Sequence, residues 1–310
     1  MKINNLAIVL MGSMLLFGST ANAQGTIANP AAEAAQQAAK AAGTDVSTDA
    51  DKKGRQSTYD MKPIYVVGQP LPTFKDDELI GDWAQPRWTA QRLFSGTRVY
   101  VIPNGTVNFE QWFRFEVPKH GGPTVLKAQS ELEFGLPHRL QIDLYLNTTH
   151  EIGTDAPGST GVSAEVRWAL ADWGKIWGNP TLYLEYTSNS GEPDQLEGKL
   201  LLGDTLAPGW HWGANLSVEQ QLSGTRTTEQ MFTGGLSYSL IDTVFEVGAE
   251  TRIARTNAAG SRSEYERDYQ LGPTFRWSPM KQMHLDFAPL FGLTSDSAKV
   301  NAYLIFGWEF

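Results

Sequence analysis

The residues able to do chemistry in this chain recur at every second position. Glu110, Arg114 and Glu116 share an even spacing, Glu131 is two residues from Glu133, and Glu165 is two from Arg167; Arg139, Asp143, Glu185, Glu246 and Arg252 stand in segments of the same kind. Successive side chains of an extended chain point to opposite faces, so these charges share one face of their segments. So many charges cannot face a dry interior and require either water or mutual ion pairs. The chemistry they offer is electrostatic, the attraction or exclusion of ions and polar solutes. Acidic members outnumber basic ones, with Glu197, Glu219, Glu250, Asp268, Asp286 and Glu309 on the same face, which favours cations or neutral polar solutes over anions.

Other chemistries have less to build on. The chain has no Cys, which removes thiol nucleophiles, thiolate metal sites and disulfides. Of its five His, His211 and His284 fall on the charged face, while His120, His138 and His150 fall in turns or loops. No nucleophile motif joins a Ser, a His and an acid, and a metal site of His211, His284 and Asp286 competes with ordinary polar filling. No catalytic residue, cofactor or metal is therefore expected. Hydrolysis of lipid on a membrane barrel would need its His on the outer rim, where neither falls. With 25 basic and 34 acidic residues the formal charge is -9, which offers nucleic acid no basic stripe.

The elements that position these charges are strands. From Thr106 to Phe310 apolar and polar residues alternate: Val107, Phe109, Phe113 and Phe115 oppose Asn108, Glu110, Arg114 and Glu116, and Leu140, Ile142, Leu144 and Leu146 oppose Gln141, Asp143 and Tyr145. The same pattern continues through 161–171, 180–188, 195–202, 210–221, 229–240, 243–254, 267–277, 282–293 and 298–310, which with the first three gives twelve strands, ten to fourteen allowing for missed or split ones. The expected fold is all-β, an antiparallel up-and-down transmembrane β-barrel. Short links at 135–138, 172–179, 203–209, 241–242 and 278–281 alternate with longer ones, notably 148–160 and 255–266, as periplasmic turns alternate with outer loops. Trp168, Trp173, Trp177, Tyr186, Trp210, Trp212, Tyr238, Trp277 and Trp308 lie near strand ends, as interfacial girdles require. A soluble sandwich also alternates, but its strands are usually shorter than the ~9 to 11 residues of a tilted crossing.

The N-terminal part reads differently. Lys2, the apolar run from Leu6 to Phe17 and Ala21-Asn22-Ala23 form an export leader over 1–23, cleaved before Gln24. Residues 24–96 are expected to be a periplasmic extension: an Ala-rich helix from Ala31 to Ala42 started by Asn29-Pro30 and stopped by Gly43, a polar flexible linker, then an irregular stretch over 60–98 that packs against something larger. The barrel domain is expected over 97–310.

The run Tyr100 to Glu116 (YVIPNGTVNFEQWFRFE), the run Glu131 to Leu146 (ELEFGLPHRLQIDLYL) and the last strand, ending at Phe310, resemble the proteobacterial family described as MetA-pathway phenol-degradation or outer-membrane transporter-like proteins. The resemblance spans about Arg98 to Phe310. It implies an outer-membrane channel or uptake protein for small solutes, hydrophobic or aromatic compounds among them, and transfers no catalytic or ligand residue. A closing strand ending in Phe resembles the signal read by the barrel-assembly machinery, which with outer-membrane lipid makes up the expected partners. The expected function is a passive channel whose selectivity is set by lumen-lining Arg114, Glu131, Arg139, Glu165, Arg167, Glu185, Glu246 and Arg252. The alternatives are a closed structural or surface-binding barrel and, last, a lipid hydrolase.

Overall fold

The computed structural model describes residues 72–261 and 264–310; the expected leader, the Ala-rich helix and the polar stretch after it lie outside them. Twelve strands form the wall: β1 (Val107–Val117), β2 (Val125–Leu136), β3 (Leu140–Glu151), β4 (Ser159–Ala169), β5 (Thr181–Ser190), β6 (Gln195–Ala207), β7 (Trp210–Gln221), β8 (Thr228–Ile241), β9 (Phe245–Asn257), β10 (Glu266–Met280), β11 (Met283–Gly292) and β12 (Val300–Glu309). Each pairs antiparallel with its sequence neighbours, and β12 pairs with β1 from Val300↔Val117 to Glu309↔Asn108, closing the barrel. Closure removes the unpaired edges that an open sheet would expose.

The period-two pattern sets which side is wet. Leu132, Ile142, Leu144, Leu146, Val162, Leu184, Leu216, Phe287 and Leu304 are exposed on the outside, whereas Glu131, Glu133, Asp143, Glu165, Ile305 and Asn301 between or beside them are buried inside. An apolar exterior around a charged interior inverts a soluble protein and matches a hydrocarbon surround. Links at 137–139, 208–209, 242–244 and 281–282 are short and share one end with 170–180; the other end carries 118–124, 152–158, 191–194, 222–227, 258–265 and 293–299. The long link expected at 148–160 shrinks, because β3 continues to Glu151 through residues polar on both faces, where alternation no longer marks a strand. Exposed Trp168, Trp177, Trp210 and Trp277 ring the short-turn end. Trp173 does not join them; it packs inward, edge-on to Trp88 and Tyr100 with ring centroids 5.6 and 5.2 Å away.

The irregular stretch does pack against something larger over its described part. After the short pair Leu79–Ile80 and Gln85–Pro86 and a 3-10 turn at Arg87–Ala90, the chain enters the lumen, where Trp88, Leu93, Phe94, Val99, Tyr100 and Val101 form a buried apolar cluster. Room for it comes from glycines. Gly203, Gly213 and Gly235 are direct partners across β6, β7 and β8, and a Cβ on Gly213 would stand 2.8 Å from Val99, while one on Gly235 would collide with the Phe94 ring. Small residues at these three points cut a shallow groove into the wall, and the inserted segment lies along it.

Candidate functional site in the barrel lumen

The inserted segment is fixed by charge as well as by packing. Arg92 donates through Nε to Glu110 Oε2 at 2.7 Å and its guanidinium lies 3.8 Å from the Trp112 ring centroid. Arg98 donates to Glu131 at 2.8 Å and to Glu133 at 2.7 Å. Burial alone would lower the Arg98 pKa, but Glu133, Glu131 and Glu110 outweigh it and hold the guanidinium above its ordinary range. Oxygens of Glu110, Glu131 and Glu133 lie within 4.8 Å of one another, close enough to hold a metal ion, but this donor set is committed to the two arginines. Between those arginines, Glu250 on β9 accepts from the Ser95 amide at 2.8 Å, the Gly96 amide at 2.9 Å and the Thr97 hydroxyl at 2.8 Å. The gap left around the segment, beside Trp88, His284 and Trp308, is about 50 Å³, room for a few waters only.

Above this plug the lumen opens. A cavity of about 330 Å³ is lined by Glu185, Glu197, Glu219, Lys199, Thr233, Trp112 and Tyr303, and one of about 700 Å³ towards the long loops by Asn147, Glu192, Glu229, Glu266, Asp296 and Asn301.

The carboxylates form an ordered row. Direct strand partners run Glu309↔Asn108↔Glu133↔Asp143↔Glu165↔Glu185↔Glu197↔Glu219↔Glu229↔Thr256↔Glu266, one residue from each strand from β12 through β1 to β10. Barrel strands tilt, so a row perpendicular to them climbs. This one starts beside the short turns, at Glu309 and Asn108, and finishes beside the long loops, at Glu229 and Glu266, as a spiral of nine acids interrupted at Asn108 and Thr256. Its lower steps are neutralised: Arg98 holds Glu133, and Arg167 pairs with Glu165 and with Asp143 at 2.9 Å. Higher up, Lys199 pairs with Glu197 at 2.9 Å, and Arg252 with Glu229 at 2.7 Å.

Six of the eight selected charges, Arg114, Glu131, Glu165, Arg167, Glu185 and Arg252, line the inner cavity. Glu246 is buried lower down, 3.8 Å from Arg276. Arg139 lies in the turn Pro137–Arg139, where it pairs with Asp172 at 2.9 Å and faces Trp83. His211 and His284 do sit inside. Asp77 meets His211 at 2.9 Å, and Asp286 meets His284 at 2.5 Å, so the two rings serve separate contacts on β7 and β11. Arg92, Arg98 and the Ser95–Thr97 cradle were not among the expected residues, because nothing periodic surrounds them.

No family model matches the chain, and no curated protein matches it. Among solved structures, an outer-membrane channel from Pseudomonas putida F1 superposes with a TM-score of 0.50 at 10% identity, covering 71% of this chain and all of that one. The NanC porin, at 11% identity and a TM-score of 0.46, covers 65% of this chain and 97% of its own; the KdgM porin, at 7% and 0.45, covers 66% and 98%. The fold is that of the outer-membrane β-barrels.

Proposed function

We propose that the chain is a passive outer-membrane channel for small solutes, with the long loops outside, the short turns in the periplasm and the inserted segment as its constriction. The observation that carries this reading is the stack of two polar cavities, about 330 and 700 Å³, open above the plug. A barrel that served only as a wall would gain nothing from uncompensated carboxylates around water-filled space, whose cost is met only by hydration. The acidic row favours cations and neutral polar solutes, with Arg114, Glu131, Glu165, Arg167, Glu185 and Arg252 setting selectivity. The resemblance to the MetA-pathway transporter-like family supports uptake and adds aromatic compounds to the candidates. The extension expected over 24–96 is then periplasmic up to the part that enters the lumen, and the barrel-assembly machinery reads the closing strand β12.

The packed plug favours one other reading, a closed barrel whose loops 152–158 and 258–265 bind a partner outside the cell. Reconstitution of the full chain in planar bilayers separates the two. Conductance that is cation-selective and altered by Glu185→Gln supports the channel; absence of conductance across a range of voltages and salts rejects it.

A further inference from the structure

We propose that the inner cavity is a binding site for a small organic cation, one carrying a guanidinium or ammonium group on an apolar body. The inference deepens the channel reading by naming a class of solute. Three consecutive steps of the acidic row, Glu185, Glu197 and Glu219, line this cavity. Glu197 is paired with Lys199 at 2.9 Å and Glu185 accepts the hydroxyls of Tyr183 and Thr187, whereas Glu219 has neither a hydrogen bond nor an ion pair among the described residues. The five other cations on the lining are engaged elsewhere: Arg92 with Glu110 and Glu131, Arg98 with Glu131 and Glu133, Arg167 with Asp143 and Glu165, Arg252 with Glu229 and Asp268, and Arg114 with Glu116 at 3.7 Å. A net negative charge is left on this side.

A second observation is independent of the acids. Thr233 is only 3% exposed, lines the same cavity, and its hydroxyl has no partner among the described residues. A buried hydroxyl without a partner costs stability unless a ligand or water supplies one, and it can accept from an N–H as a carboxylate does.

The opposite wall says what kind of cation fits. In a ring of twelve strands β7 faces β1, β6 faces β12 and β5 faces β11, so Glu219, Glu197 and Glu185 look across at Trp112, Tyr303 and Leu290. That wall also carries two cations, Arg92 at 3.8 Å from the Trp112 ring and Arg114 at 5.9 Å from the Tyr303 ring, so the ion that suits the cavity sets its charge on the carboxylate side and its hydrocarbon across from it. A bare metal ion would leave most of 330 Å³ unused and would find two of the three carboxylates committed. The lumen already holds a guanidinium in this way next to the cavity, where Arg92 is stacked on Trp112 and hydrogen-bonded to Glu110.

The test is calorimetric titration of the full-length protein in detergent with agmatine, with benzoate and magnesium chloride as comparison solutes. Gel mobility before and after heating checks that each variant is a closed barrel. Agmatine is expected to bind saturably at one site, with Glu219→Gln weakening it about tenfold, the loss of one charge-assisted hydrogen bond. Thr233→Val is expected to weaken it about threefold, and Glu78→Gln, exposed and outside the lumenal cavities, to leave it unchanged. No saturable agmatine binding, equal affinity in Glu219→Gln, or equal binding of benzoate or magnesium would overturn the proposal. Because binding is read without current, a protein that binds agmatine but never conducts keeps this site and loses the channel reading; one that conducts without binding does the reverse.

Discussion

Arg98 donates to Glu133 at 2.7 Å, so a residue that precedes the first barrel strand is tied to the wall of the second. The same guanidinium reaches Glu131 at 2.8 Å, and its main chain is held by Asn215 on the other side of the lumen, amide to Oδ1 at 2.8 Å and carbonyl from Nδ2 at 2.6 Å. One residue thus bridges β2 and β7 through the barrel interior. A plug anchored through paired ions differs from one anchored by apolar packing alone, because removing one partner strands the other as a buried charge.

Arg98→Ala should therefore cost more than the contact it deletes. It leaves Glu131 and Glu133 short of their main counter-charge, a loss of order ~3–5 kcal/mol for a broken buried pair. The barrel wall does not need Arg98 to close, so the cost is relieved by withdrawal of the segment and entry of water. Larger single-channel conductance, with a lower temperature for the heat-induced gel shift, is the expected result, and Arg98→Lys should restore part of both. Unchanged conductance would show that the segment does not constrict the path.

The groove gives a second handle on the same segment that does not touch charge. Gly235→Leu places a side chain where the Phe94 ring now lies. The strand tolerates leucine, and Leu236 next to it is already part of β8, so the wall is expected to form while the segment is displaced. Protease cleavage between Leu93 and Arg98 in the folded, unheated protein is the readout: fast in Gly235→Leu and slow in the unsubstituted chain.

Strand number, closure and the inward face were legible because each rests on a local rule. Leu140 to Leu146 alternates, the alternation fixes which residues share a face, and the face with Asp143 and Tyr145 is the buried one. Seven of the nine acids of the spiral row were readable as lumenal for the same reason; Glu229 and Glu266, at strand ends beside the long loops, were not. The alignment of the row was not legible, because register depends on which residues of two strands lie opposite, and a turn such as Pro137–Arg139 sets that by its geometry rather than by period. Arg139 shows the same limit from the other side: it has the parity of a lumenal residue but falls in that turn, with Arg139 itself at φ 62°. The plug was the least legible part. Arg92 and Arg98 belong to no periodic element, and their partners Glu110, Glu131 and Glu133 lie on strands that the sequence brings near them only through closure of the barrel.

Outside the wall, the link 191–194 carries a titration with a definite sign. The Asp194 carboxylate accepts from the Tyr186 hydroxyl at 2.6 Å and from the Asn189 amide at 3.0 Å, and these bonds, the first above all, hold its pKa below the ordinary 3.8. A carboxyl depressed on folding contributes to the loop's order fully above its ordinary pKa, and that contribution is lost as pH falls through the depressed value. The Asn189 amide proton should titrate with a midpoint under pH 3.8. Asp194→Asn should abolish the titration, and a midpoint at or above 3.8 would deny the two bonds.

Whether the outside of the barrel meets hydrocarbon is decided by depth rather than by exposure. Leu144 on β3 is 48% exposed and lies in the apolar band with Leu132 directly across from it; Leu222 is 41% exposed but sits in the link 222–227 at the long-loop end. In water, arginine at either position would be tolerated alike, since both are exposed and neither packs a core. In a bilayer, Leu144→Arg should cost ~2–4 kcal/mol and Leu222→Arg ~0–1 kcal/mol, because the penalty for a charge falls from the midplane to the interface. Urea titration of folding into lipid vesicles measures both. A clear gap between them places Leu144 in hydrocarbon, and with it the whole face that β3 shares with Ile142 and Leu146; equal costs would mean that the greasy surface faces water and that the inside-out pattern has some other cause.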